Sequence, residues 1–305
     1  MAVVSAAVLR KHPVSSRVAL AVRVLTGVVA LSVALSARAA DSPPAGSETV
    51  AVRSGALTLQ ALLFRPAGHG PFPAVLFNHG SGYARTELNH RHPELLGPVF
   101  ARHGYLFLYL YRRGDGLSAG QGVASGDVMA QAMASGGQDA RNESQLHLLE
   151  TDEMADALAG LAYLRALPDA DPGRVAVVGH SFGGSLTLLM AERDPAIRAI
   201  VTFAAVGYSW DRSPPLRARL SAAVERMSAA AFLITAANDF SLGPEEALGA
   251  QMDRLGRPHQ VKIYPAVGQA PEEGHDFVHR RVATWEPDVF AFLGQYLSQA
   301  TPRGH

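Results

Sequence analysis

Val175-Ala176-Val177-Val178-Gly179-His180-Ser181-Phe182-Gly183-Gly184 decides how this chain folds. Its first half is apolar and largely β-branched, which suits a strand buried on both faces. The run breaks at Gly179. Beyond Ser181, residues Leu186, Leu188, Leu189, Met190 and Ala191 set up a helical pattern. A buried strand, a sharp turn and a helix, with Gly-x-Ser-x-Gly at the turn, make a nucleophile elbow. The glycines allow the tight turn that pushes the serine hydroxyl into the open. The helix N-terminus beside it offers N–H groups and a positive dipole end to a developing oxyanion. A Gly-rich turn with a chance serine has no reason to carry that strand before it and that helix after it.

Working outward, Thr49–Arg53 and Leu57–Phe64 read as a hairpin around Ser54-Gly55. Pro73–Phe77, Tyr105–Tyr111, Ile197–Ala205, Ala231–Ala236 and Val261–Tyr264 read as further strands. Helical spacing runs over Glu87–His103, Leu148–Leu167, Gly243–Leu255 and Arg281–Ser298. Gly120–Asn142, rich in Gly, Ala, Ser and Gln, reads as a long irregular loop. Apolar strands alternating with helices predict an α/β fold: a mostly parallel central sheet with helices on both faces. Chemistry in such sheets sits outside the carboxyl ends of the strands.

A serine hydroxyl is a weak nucleophile and needs a base, which in turn needs an orienting acid. The order in this topology is Ser, then Asp or Glu, then His. Of the downstream histidines, His275 follows the last strand in a Gly- and Glu-rich loop before the closing helix. His259 precedes that strand, His279 lies four residues beyond His275, and His305 is the terminal residue. His275 is therefore the candidate base. Asp239, just past a buried strand, is the candidate acid, with Asp211 as the alternative; Asp276 is too close in sequence to serve its neighbour's ring. The oxyanion donors expected are the backbone N–H groups of Phe182 and of Ser81, with Gly82 second to Ser81. His79 and His180 read as structural.

Gly179–Gly184, the Asn78-His79-Gly80-Ser81-Gly82 loop, Arg113-Gly114-Asp115-Gly116-Leu117-Ser118 after a strand, Asn238-Asp239 and Gly274–Phe277 together resemble the α/β-hydrolase superfamily. The layout is similar to its dienelactone-hydrolase-like and prolyl-oligopeptidase-like branches, from about Thr49 to the end of the last helix. True dienelactone hydrolases use a cysteine nucleophile where this chain has Ser181, so that branch implies fold rather than substrate. Peptidases of the other branch usually carry a large propeller, for which the chain has no room. The superfamily's lids usually follow the strand after the elbow. Here that interval is Gly207–Ser228, enough for a short helix over Arg217–Met227 but not for a large lid domain. The resemblance implies an open site suited to small or medium esters.

The 305 residues are 48% hydrophobic and 18% charged, with zero formal net charge and no cysteine. The balance gives no reason to expect a nucleic-acid partner. The missing cysteine excludes a thiol nucleophile, disulfides and Cys-based zinc sites. Arg10, Lys11, Arg17 and Arg23, then the apolar Val24–Leu35 and Ala37-Arg38-Ala39, read as a secretory signal over residues 1–39. The catalytic domain is expected over 40–305, exported to the periplasm or medium, with no stable membrane insertion after cleavage. His275-Asp276-Phe277-Val278-His279 mimics a His-Glu-x-x-His zinc motif but lacks a third ligand in sequence. Gly114-x-Gly116-x-x-x-Gly120 is a weak dinucleotide pattern. Asn142-Glu143-Ser144 is a sequon that matters only in a glycosylating host. The expectation is a serine hydrolase of carboxylic esters, with no cofactor and no metal. An amidase or small peptidase on the same residues, and a non-catalytic binding protein on the same fold, are the alternatives.

Overall fold

The computed structural model describes residues 46–82 and 91–298. The expected signal over 1–39, the first residues of the helix expected from Glu87, and His305 lie outside them. Ser47–Ser54 (β1) and Leu57–Phe64 (β2) form the expected antiparallel hairpin. Phe72–Asn78 (β3) is followed by helix α1, Arg91–Arg102, and by Leu106–Leu110 (β4). A 3-10 turn at Gly116–Ser118 then leads to Ser125–Glu150 (α2) and Asp152–Ala166 (α3). Ala170–His180 (β5) carries the elbow into Phe182–Arg193 (α4). Ala199–Phe203 (β6), the short Gly207–Trp210 (α5) and Pro214–Arg226 (α6) come next. Ala230–Ala236 (β7), Gly243–Leu255 (α7) and His259–Tyr264 (β8) complete the sheet. Pro271–His275 (α8), Phe277–Arg280 (α9) and Val282–Leu297 (α10) close the described chain.

The eight strands lie in the order β1-β2-β4-β3-β5-β6-β7-β8, parallel from β4 to β8. The chain steps from β3 out to β4 and then crosses back to β5, so the strand order reverses between β3 and β5. A crevice opens at such a switch point. Side chains alternate between two cores: Leu76, Val177, Ile200 and Leu233 pack under α3, α4 and α6, while Phe77, Val178, Val201 and Phe232 face α1 and α10. Burial on both faces explains the unbroken apolar runs of β3 to β7.

The segment expected as a loop over 120–142 is instead mostly helix. α2 starts at Ser125, and Gly137 breaks its regularity at φ 71° and ψ −159°. Ala130, Ala132, Met133 and Ala134 favour helix, and Asn142, Gln145, Leu148 and Leu149 are buried at helical spacing. The glycines and serines hid that stripe. Thr151 separates α2 from α3, so the helix expected from Leu148 begins at Asp152, with Asp152 and Glu153 in its first turn. α6 starts three residues before the expected Arg217, because Ser213 caps it, accepting from the Leu216 N–H, and prolines stand at its first positions. Between β6 and β7 the chain forms only α5 and α6, so no large lid is inserted there among the described residues.

Candidate active site

β5 ends in a turn that forces Ser181 to φ 56° and ψ −120°. Backbone strain of this kind persists only where the surroundings hold it. Here the Ser181 N–H donates to Phe203 O of β6 at 2.9 Å. The two flanking glycines are required by close approach. A Cβ on Gly179 would lie 2.2 Å from Gly183 O, and one on Gly183 would lie 2.1 Å from Asn78 O. The Ser181 hydroxyl thus stands at the carboxyl end of the sheet, over the start of α4.

His275 ends α8, and its ring is buried between two partners. Nε2 lies 2.8 Å from Ser181 Oγ, and Nδ1 lies 2.7 Å from Asp239 Oδ1. Asp239 sits in the turn after β7. Its Oδ1 also accepts the Phe240 N–H at 2.6 Å, and its Oδ2 accepts the Thr235 hydroxyl at 2.8 Å. These donors fix the carboxylate before it meets the histidine. Asn238 pins the histidine loop: its amide donates to Val267 O and Ala270 O, both at 2.9 Å, and its Oδ1 accepts the Val267 N–H. His180 Nε2 lies 2.8 Å from His275 O and so braces the histidine from behind. Burial, then the neighbouring His275 and His279, hold His180 well below the usual histidine range, so it stays neutral.

The candidate oxyanion donors Ser81 and Phe182 both line the cleft containing Ser181 and His275, as do Gly80 and Gly82. Behind that loop, the buried Arg112 donates to His79 O at 2.8 Å and pairs with the buried Glu153. Its guanidinium also lies 5.6 Å from the Phe182 ring centroid. His79 Nε2 accepts the Arg112 N–H at 3.2 Å. Burial and then Arg112 depress its basicity strongly, consistent with a structural role. Asp211, the alternative acid, is exposed at the end of α5. Asp276 faces His279 Nδ1 at 2.7 Å. His259 sits at the opposite end of β8 from the cleft, with Nδ1 3.0 Å from Arg257 O. The sequon's Asn142 is buried, donating to Arg212 O at 2.7 Å.

The zinc-like spacing resolves into two separate structures. Both His275 nitrogens face Ser181 and Asp239. His279 stacks on His92 of α1, with ring centroids 3.6 Å apart and planes 9° from parallel. Nitrogen, carboxylate and nitrogen of His92, Asp276 and His279 lie within 4.8 Å of one another. An imidazole lone pair lies in its ring plane, so two stacked rings direct theirs side by side rather than onto one ion. The arrangement is a stack, not a chelate. Burial, then His279, lowers the His92 pKa to about 3. A histidine whose folded pKa is depressed weakens the fold as pH falls below the unfolded value near 6.5 and stops doing so below about 3. At pH 5 the loss from His92 alone comes to about 2 kcal/mol. His92→Phe, which keeps the stack, is expected to flatten the acid side of a stability–pH curve measured by urea denaturation; an unchanged curve would refute this assignment.

Sequence reasoning did not reach the rest of the cleft. Arg141 and Gln145 of α2, Val206, Tyr208 and Ser209 around α5, and Phe240 line it, around a cavity of about 150 Å³. No motif marks them; they meet Ser181 only through the tertiary fold. Val206 itself takes a positive φ of 66°, which a β-branched residue rarely adopts.

A serine hydroxyl on an elbow at the switch point of a mostly parallel sheet defines an α/β-hydrolase with a serine nucleophile. The profile of the X-Pro dipeptidyl-peptidase (S15) family matches residues 55–253, and the chain belongs to that family. The match takes in Ser181 and Asp239 and ends before His275. The quorum-quenching protein AidA of Acinetobacter baumannii is 28% identical over 142 residues, 47% of this chain and 38% of that protein. Among solved structures, the Pyrococcus horikoshii acylaminoacyl peptidase superposes with a TM-score of 0.59 at 18% identity, over 85% of this chain and 43% of that one. The dienelactone hydrolase of Anabaena variabilis does so with a TM-score of 0.56 at 18% identity, over 82% and 98%. The chain thus spans about four-tenths of the curated relative and of the peptidase. The structural likenesses speak for the fold.

Proposed function

We propose that this hydrolase cleaves carboxylic esters through an acyl-enzyme on Ser181. The observation that carries the reading is the unbroken hydrogen-bond chain Ser181–His275–Asp239. In the proposed reaction Ser181 Oγ attacks the ester carbonyl as its proton passes to His275 Nε2. Asp239 holds the Nδ1–H tautomer and stabilises the imidazolium. The Ser81 and Phe182 N–H groups take the oxyanion. His275 then protonates the departing alcohol, and a water repeats the sequence to release the acid and restore Ser181.

The family description and the peptidase neighbour raise a second reading, cleavage of a peptide. A dipeptidyl-peptidase must hold the protonated amino terminus of its substrate, which calls for a carboxylate. Among the described residues lining the cleft there is no Asp or Glu, and one of them is an arginine. That favours the ester. Fluorophosphonate labelling tests the nucleophile. Labelling that survives EDTA and vanishes in Ser181→Ala supports the reading, whereas no labelling of folded wild type would turn it toward a binding protein. Matched ester and amide panels then separate the two chemistries.

One glycine tests how the acid is seated. A Cβ on Gly207 would lie 2.7 Å from Asp239 Oδ2 and 2.9 Å from Oδ1. Gly207→Ala is expected to lower kcat about 10- to 100-fold by displacing the carboxylate, with the melting temperature little changed. A wild-type kcat in this variant would show that the seating of the Asp239 carboxylate does not limit turnover.

A further inference from the structure

We propose that the cleft selects substrates carrying a carboxylate, which Arg141 receives beside the acyl-transfer site; this rests on the ester-hydrolase reading above. Arg141 is half-buried on the wall that faces Ser181 and His275. One of its terminal nitrogens, Nη1, donates to Gln145 Oε1 at 3.2 Å and Ser209 Oγ at 3.4 Å. Ser209 in turn donates to Gln145 Oε1 at 2.8 Å. The guanidinium lies 5.0 Å from the Tyr208 ring centroid. These contacts hold the fork still without neutralising it.

The missing element is a counter-charge. Arg112, Arg113, Arg165, Arg174 and Arg219 each meet a carboxylate. Among the described residues none pairs with Arg141. Its charged neighbour is another cation, Arg212, whose guanidinium lies 4.4 Å from the same Tyr208 ring. Burial and Arg212 both oppose the charge on Arg141, yet a guanidinium stays protonated at any ordinary pH. A fixed, partly desolvated fork with no acid in reach complements a planar carboxylate, which it binds bidentately. A positive cleft also draws anionic substrates in. Nothing in the acyl-transfer steps needs this cation, so its use is recognition.

The carboxylate has two possible positions, on the acyl part or on the alcohol part of the ester. Two matched pairs distinguish them. The first is the p-nitrophenyl monoester of adipic acid against the same compound with its free carboxylate capped as a methyl ester. The second is 4-acetoxybenzoate against its methyl ester. In wild type, kcat/KM is expected to favour the anion in at least one pair. Arg141→Gln should reduce that preference about 10- to 100-fold, while Arg141→Lys keeps part of it. A merely structural arginine would move both members of each pair together. A preference for the neutral member in wild type, or a ratio unchanged by Arg141→Gln in both pairs, overturns the inference.

Binding provides an arm that does not depend on turnover. Calorimetry on Ser181→Ala with both matched pairs should show tighter binding of the anion in at least one of them, lost in Ser181→Ala/Arg141→Gln. If wild type hydrolyses neither pair, the ester-hydrolase reading fails. The calorimetric comparison still decides Arg141, and equal affinities in both pairs would overturn its role.

Discussion

Ser181→Ala is expected to lower kcat on any ester substrate by about 10⁵- to 10⁶-fold, with KM and melting temperature nearly unchanged. The size follows from the geometry. Ser181 Oγ is hydrogen-bonded to His275 Nε2 at 2.8 Å. Alanine removes the proposed nucleophile and leaves His275 with no hydroxyl to activate. The proposed oxyanion donors and the cleft remain, so a residual rate of about 10³- to 10⁴-fold over water should persist. Because the groups act as one unit, Ser181→Ala/His275→Ala should be hardly slower than either single variant. Additive losses would show that they do not share a step. Pre-steady-state kinetics with a p-nitrophenyl ester checks the same point, since the wild type should give a burst of nitrophenolate and the variant none.

Asp239→Asn is expected to cost about 10²- to 10⁴-fold in kcat without disturbing the fold, the upper end if the histidine takes the wrong tautomer. Asp239 accepts three hydrogen bonds, from Thr235, the Phe240 N–H and His275. An asparagine can accept on one side only. If its oxygen keeps the Phe240 N–H and His275, its amino group must face the Thr235 hydroxyl, which can turn to accept. If the amide flips, the amino group faces His275 Nδ1 and drives the proton to Nε2, where it can no longer accept from Ser181. The fixed Phe240 N–H opposes the flip and the rotatable hydroxyl tolerates the first arrangement. Imidazole nitrogen shifts measured by NMR report which tautomer is present. In either arrangement the full negative charge that stabilises the imidazolium is gone. A loss below tenfold would remove Asp239 from the proposed relay, and the exposed Asp211 offers no buried partner to replace it.

Much of the site could be read from local chemistry. The elbow is legible because a strand buried on both faces, a glycine-bounded turn and a helix each leave their own short-range pattern. His275 and Asp239 were reachable by chain order and by their place after strands at the reactive edge. Gly120–Asn142 misled for a physical reason. Its glycines and small polar residues argue for loop by propensity, but burying Met129, Asn142, Gln145 and Leu148 against the body of the fold outweighs that weak preference. The cost of the misreading was Arg141, which reaches the cleft only because that segment is helical.

Val175–Gly184, the apolar strands and the order Ser181, Asp239, His275 were determined by the sequence alone, because backbone pattern and chain order are local or one-dimensional properties. The tertiary structure decided that His275 rather than His279 faces Ser181, that His279 stacks on His92, and that Arg141 stands in the cleft with no carboxylate partner among the described residues. Each of these depends on side chains from distant segments meeting at a measured distance and angle, and on which charges the fold leaves without a partner. No spacing along the chain encodes either.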